Sequence, residues 1–238
     1  MSKQVEPHAP IRNRLLAMLP PKDYSRLAQH LEPVHLARGE TLYEIDETIK
    51  YAYFPLSGII SLFSSTEDGA TIEAAVIGNE GLIGIPIALR DHKSPYQVLV
   101  QFPSDTMRIK AQVLERESSR CGHFQDLLLR YTHALLTQVS QSATCNHFHS
   151  VKERLCRRLL TSRDLVKTDT LQLTQELLSQ ILGAPRTGVT SAIGELQRDG
   201  VLHATRGKLQ ILDARGLEAH SCECYGAFKE EMDRLFVD

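Results

Sequence analysis

Apolar positions along the chain recur with different periods in successive stretches, and each change of period marks a change of architecture. Residues 11–31 carry apolar side chains at helical steps and are divided by Pro20-Pro21, which predicts one or two short helices. From Pro33 the pattern becomes strand-like. The stretches His35 to Tyr43, Tyr51 to Ser64, Tyr96 to Phe102 and Thr106 to Ile109 are rich in β-branched and aromatic residues. Glu67-Asp68-Gly69 separates the alternating positions Ile60 and Leu62 from Ile72, Ala74 and Val76, which predicts a hairpin. Short strands separated by turns fold as an antiparallel sandwich or jelly roll.

Near Glu115 the period returns to that of a helix. Phe124, Leu128, Tyr131 and Leu135 form one stripe, and Leu129, Leu136, Val139 and Ala143 form a second. A helix apolar on two faces calls for two partners. One is the β-domain; the other is the same helix of a second subunit in a coiled coil, although a helix enclosed within one subunit shows the same periodicity. The polar run Asn146-His147-Phe148-His149-Ser150 interrupts the pattern and predicts a domain boundary.

Val151 to Arg163 reads as an amphipathic helix, with Leu155, Leu159 and Leu160 inward and Lys152, Arg157, Arg158 and Arg163 outward. Beyond the polar link Lys167-Thr168-Asp169, Thr174 can cap a helix whose buried face is Leu177, Leu178, Ile181 and Leu182. Glu176 suits the positive end of that helix, and Gly183 ends it. Pro185 opens the next helix, where its missing N–H costs nothing, and Val189, Ile193 and Leu196 face inward until Asp199-Gly200. Two helices joined by so tight a turn make a helix-turn-helix. The second presents Arg186, Thr187, Thr190 and Ser191 near its start, the positions that reach base edges and phosphates in a major groove. Val201 to Ala204 and Leu209 to Leu212 then read as strands around Thr205-Arg206-Gly207-Lys208, a wing with two cations at its tip.

Charge supports that reading. The 238-residue chain has a net charge of −2, yet residues 151–215 hold eleven Lys/Arg against seven Asp/Glu. A basic C-terminal unit on an acidic body suits a phosphate-binding module. No apolar run approaches a membrane span, and Met1 to Ile11 resembles neither a secretory signal nor a transit peptide, so a cytoplasmic protein without membrane contact is expected. Five widely spaced cysteines also fit a reducing compartment better than a disulfide framework. An enzyme of the cupin type would need histidines converging from strands. Between Pro33 and Arg108 only His35 and His92 occur, and no nucleophile motif is present, so no catalytic residues are expected.

The order of β-roll, long helix, helix-turn-helix and wing resembles the Crp/Fnr family of transcription regulators over almost the whole chain. Leu173 to Ile211 carries the most specific likeness, with Leu-Thr-Gln-Glu, Ile-Leu-Gly, Arg-Thr-x-Val-Thr and the Arg-Gly wing in family register. Supporting pieces are Gly39 to Tyr43, Tyr53 to Gly58 and Gly78 to Gly84; Ser142 to Asn146 and Cys222-Glu223-Cys224-Tyr225 resemble a subgroup. The resemblance implies an α+β chain. Its cyclic-nucleotide-binding-like β jelly roll with short N-terminal helices would span residues 1–114, and its dimerisation helix 115–146. A winged helix-turn-helix would span 147–216 and a helical tail 217–238. It also implies a homodimer on a palindromic operator in double-stranded DNA, contacted through Thr174, Arg186, Thr187, Thr190, Ser191, Arg206 and Lys208. RNA polymerase would be a further partner of an activator. Best-known members carry Arg, Glu and Arg on the recognition helix. Arg186 matches the first, but Thr187 and Ser191 replace the others, so a different operator is expected. Subgroup relatives often have a second Arg where Pro185 stands.

No cofactor is expected. Cyclic-nucleotide binders of the family hold the ribose with a Glu where this chain has Leu82, and Lys93-Ser94 only approximates their Arg-Ser pair. An iron–sulfur centre of the Fnr kind needs an N-terminal cysteine cluster, whereas the first cysteine is Cys121. Haem is likewise not expected. Two groups of soft ligands remain, Cys145-x-His147-x-His149 and His220-x-Cys222-x-Cys224. Alternate residues on a helix diverge by roughly 200°, so either group needs an extended backbone to converge; no metal site is expected, and a metal- or thiol-redox-responsive regulator of the same fold, or a ligand- or partner-binding module without DNA readout, stands as the alternative.

Overall fold

The computed structural model describes residues 11–237. The start of the chain, on which the expectation of no leader rests, lies almost wholly outside them. Two short helices come first, α1 (Arg14–Ala17) and α2 (Pro21–Ala28), with Pro21 at the first helical position as the Pro-Pro break implied. Asn13 caps α1 by accepting from Leu16 N, while its amide donates to the carbonyls of Pro55 and Gly81 at 2.9 Å each. The capping residue thereby fastens α1 to the domain that follows.

Seven strands build that domain: β1 (Glu32–Leu36), β2 (Thr41–Tyr43), β3 (Tyr51–Pro55), β4 (Ile59–Ser65), β5 (Thr71–Ile77), β6 (Gln97–Phe102) and β7 (Ser104–Lys110), with the short α3 (Ile85–Ala88) between β5 and β6. They pair antiparallel in two sheets, β1-β7-β3 and β2-β6-β4-β5. The Asp68-Gly69 hairpin joins β4 to β5, and Gly69 takes φ 86° there. Gly58, between β3 and β4, has φ 76°, and a Cβ on it would stand 2.2 Å from the Pro103 carbonyl oxygen. Backbone strain and overlap act together at that position. Gly58→Ala should therefore cost about 2 kcal/mol or more in thermal unfolding; an unchanged Tm would refute this packing.

The helical part departs from expectation at its start. Instead of one helix from residue 115, α4 (Ala111–Ser118) ends and α5 (His123–Phe148) begins separately. Cys121 at φ 47° turns the chain between them. Phe124, Leu127, Leu128, Tyr131 and Ala134 of α5 are buried in the roll's core, and the Tyr131 hydroxyl donates to the Leu82 carbonyl at 3.2 Å. Most of the second stripe lies open, with Leu129 and Leu136 at 55% and 63% exposure and Ala143 exposed, but Val139 turns against the roll's core instead.

Ser150 begins α6 (Val151–Val166) with a capping box, its side chain accepting from Glu153 N and the Glu153 carboxylate accepting from Ser150 N. The strand β8 (Thr170–Leu171), the helices α7 (Gln175–Leu182) and α8 (Arg186–Arg198), and the hairpin β9 (Leu202–Thr205) and β10 (Lys208–Ile211) complete a winged helix-turn-helix, with sheet order β8-β10-β9. The helix α9 (Ala214–Ala219) straddles the expected tail boundary at 217 because Leu217 is wholly buried in the core of the winged helix-turn-helix unit. The last helix, α10 (Cys224–Leu235), folds back onto α5, and its Met232 and Leu235 join the roll's core.

The two units share a core. Ile59, Phe63, Val76 and Phe102, on the outer face of the β4-β5-β6 sheet, pack with Leu155, Leu159 and Leu182. Arg158, expected outward, is 1% exposed. It grips Glu73 of β5 through Nε at 2.6 Å and Nη2 at 2.9 Å, and also donates to Gln101 of β6 and to Ser162. Arg158 therefore meets the roll rather than water, which reverses the orientation that amphipathicity suggests for it, while Lys152 pairs with Asp199 at the end of α8. Arg157 is half-buried, and Arg163 pairs with Asp169 at the surface.

Candidate nucleic-acid interface

The helix pair is set by local chemistry. Thr174 caps α7, its hydroxyl accepting from Leu177 N at 3.1 Å, which is worth ~1 kcal/mol relative to alanine. Gly183 ends α7 at φ 54°, a left-handed conformation that favours glycine. The Ala184 carbonyl accepts from the Ser179 hydroxyl, which ties the turn to α7. Pro185 then stands at the N-cap of α8, whose buried face is Val189, Ala192, Ile193 and Leu196.

The opposite face is open. Arg186, Thr187, Thr190 and Ser191 are all exposed on the first turns of α8, and Thr174 is exposed one helix away. Arg186 Nη1 lies 2.7 Å from Glu176 Oε2, and both side chains are more than half exposed, so the pair contributes ~0–1 kcal/mol and can part on contact with a ligand. Thr190 donates to the Arg186 carbonyl at 2.8 Å and lies 3.1 Å from Gln175 Oε1. Ser191 lies 3.4 Å from Glu195. The wing turns on Arg206-Gly207, with Thr205 paired to Lys208 and Gly207 at φ 74°. Arg206 and Lys208 are exposed at its tip. Between α7, α8 and the wing runs a cleft of about 620 Å³, lined in part by Thr174, Gln175, Glu176, Arg186, Thr190 and Arg206. Of the seven residues singled out from sequence, Thr174, Arg186, Thr190 and Arg206 line this cleft, while Thr187 and Ser191 of α8 and Lys208 of the wing are exposed outside its lining. Gln175 was not among those residues; it is the first residue of α7, accepts from Thr190 of α8 and shares the cleft.

The soft ligands are arranged differently from either expected triplet. Cys145 and His149, one turn apart at the end of α5, meet Cys222 and Cys224 from the segment that opens α10. His147 instead lies edge-on to Phe148, and His220 pairs with Asp199 at 3.4 Å. Hydrogen bonding from Cys222 holds the Cys145 thiol pKa below its ordinary value. Burial pushes the Cys156 thiol, in the core of the winged helix-turn-helix unit, up to about 12. Among the described residues no helix is long and apolar enough to cross a membrane.

Comparison with known proteins agrees with this geometry. The profile of the cyclic nucleotide-binding domain matches residues 33–120, and that of the Crp-like helix-turn-helix domain matches 153–220. The transcriptional regulator SdrP of Thermus thermophilus is 42% identical over 48 residues; the match covers 20% of this chain and only 24% of that protein. Among solved structures, a Crp/Fnr-family transcriptional regulator from Eubacterium rectale superimposes with a TM-score of 0.70 at 17% identity, covering 84% of this chain and 94% of the other. FixK2 from Bradyrhizobium japonicum does so at 0.68 and 16% identity, covering 81% and 98%. Both likenesses establish the fold. With a nucleotide-binding-type roll, a long helix and a Crp-like reading head in one chain, the protein belongs to the Crp/Fnr family of DNA-binding transcription regulators.

Proposed function

We propose that the protein binds a palindromic operator as a homodimer, with α8 in the major groove and the wing on the phosphate backbone. The carrying observation is the exposed set Arg186, Thr187, Thr190 and Ser191 on the first turns of α8, flanked by the cations of the wing. Arg186 can grip guanine with two hydrogen bonds once released from Glu176, while Thr187, Thr190 and Ser191 read bases more weakly or hold phosphate oxygens. The N-terminus of α8 adds its own attraction for phosphate. The open stripe of Leu129, Leu136 and Ala143, spaced by seven residues on α5, supports pairing with the same helix of a second subunit. The reading needs no catalytic residues and places the protein with DNA in the cytoplasm, with RNA polymerase as a further partner if it activates.

The roll's interior supports a signal other than a cyclic nucleotide. Leu82, standing where the ribose ligand would be, is wholly buried. The cavity beside it measures about 20 Å³ and is lined mainly by apolar side chains, among them Ile49, Leu62 and Val98. Lys93 is exposed, and the Ser94 hydroxyl is committed to the Tyr96 carbonyl at 2.6 Å.

Genomic footprinting supplies the operator on which to test the contacts. Arg186→Ala should weaken operator binding by about 1–3 kcal/mol and relax selectivity at one base position. Lys208→Ala should weaken all sequences alike and reduce the salt dependence by about one phosphate contact. If neither substitution changes operator affinity, α8 is not the reading head.

A further inference from the structure

Cys145 lies in the last turn of α5, and His149 is the C-cap residue of that helix, immediately before α6 begins. Cys222 lies between α9 and α10, and Cys224 is the first residue of α10. Because α10 folds back along α5, it brings these two cysteines to the end of the long helix. The four ligand atoms all lie within 4.8 Å of one another. Cys145 Sγ and Cys222 Sγ are 3.5 Å apart, and Cys224 Sγ is 3.6 Å from His149 Nδ1. A tetrahedron with metal–sulfur bonds of about 2.3 Å has edges of about 3.8 Å, so these two pairs stand close to the spacing that one ion requires and the remaining pairs exceed it by no more than about 1 Å.

The surroundings fit a ligand set better than they fit ordinary core packing. The three cysteines are buried and form a cluster of their own, apart from both apolar cores. His149 turns Nδ1 inward, while its Nε2 lies 3.3 Å from Glu223 Oε1. A carboxylate on the far nitrogen fixes the tautomer and orientation of a metal-binding imidazole. Gln141 donates to Cys224 Sγ at 2.9 Å, as an amide does to a thiolate ligand.

We propose that Cys145, His149, Cys222 and Cys224 form a closed tetrahedral site for a single soft divalent ion of the zinc class. Binding displaces the thiol protons and leaves no open position for a substrate, so the site is structural. Its place in the fold gives it a further consequence. It ties the α5–α6 junction, about which the reading head is oriented, to the α9–α10 segment that follows the wing. Loss of the ion loosens the orientation of the head on the dimer helix and lowers operator affinity. The site itself rests on the cluster's geometry and not on the DNA-binding reading, and metal content is measured without DNA.

The test is elemental analysis of full-length protein purified with zinc and without chelators, followed by replacement with cobalt(II). The expected result is one zinc per chain, and cobalt-loaded protein with the intense ligand-field bands of tetrahedral coordination and thiolate-to-cobalt charge transfer. C222S/C224S should lose the metal, whereas C121S/C156S, which alters cysteines outside the cluster, should keep its full complement. If C222S/C224S fails to fold, the wild-type cobalt spectrum still decides. Wild type below about a tenth of an equivalent, octahedral cobalt, or metal retained by folded C222S/C224S would each overturn the proposal. So would reduced wild type that takes up no added zinc and instead closes a Cys145–Cys222 disulfide.

Discussion

Arg158→Ala should destabilise the protein by about 3–5 kcal/mol and lower its Tm by on the order of 10 °C. The reason is the partner left behind. Glu73 is only 7% exposed, and in the native structure both its oxygens face the guanidinium while Ser61 and Gln101 also donate to it. Removing the arginine strands a carboxylate between the roll and α6, where water reaches it poorly. Replacing both groups with apolar side chains, as in R158M/E73L, removes the stranded charge and should recover most of the loss. Thermal unfolding of the two variants distinguishes a buried ion pair from a surface arginine, whose removal would cost under about 0.5 kcal/mol.

Leu136→Asp should abolish the proposed dimer and leave a monomer that is still folded. Leu136 is exposed on the single chain, so the substitution leaves both apolar cores intact. In a paired α5 it would face the partner helix, and two buried aspartates would oppose association. A monomer engages one half-site, so operator affinity should fall on the order of 100-fold or more through lost bivalency alone. Sedimentation equilibrium reads the first effect and DNA titration the second. A variant that remains dimeric would move the subunit interface away from the Leu129–Leu136–Ala143 stripe.

The parts legible in sequence were those encoded by neighbouring residues. Thr174, Gly183 and Pro185 each state a backbone requirement within a few positions, and the helix-turn-helix boundaries follow from them. Asp68-Gly69 did the same for the β4–β5 hairpin. What escaped was decided at a distance or against local signals. The break before α5 uses Cys121 at positive φ, a residue type that does not announce a turn. β8 is two residues long and is defined by its pairing with β10. The inward turn of Arg158 depends on Glu73, 85 positions earlier. The cysteine cluster shows the same limit most clearly. Each sequence triplet fails as a local ligand set, yet one pair from each converges because α10 returns along α5.

The most direct test of the central claim is selection of bound sequences from a random double-stranded DNA library by the full-length protein. An enriched inverted repeat is expected, its half-sites one helical turn of about 34–36 Å or a multiple apart, with at least one position relaxed when Arg186→Ala is used instead. Recovery of no sequence above the input, or of the same repeat unchanged by Arg186→Ala, would contradict it.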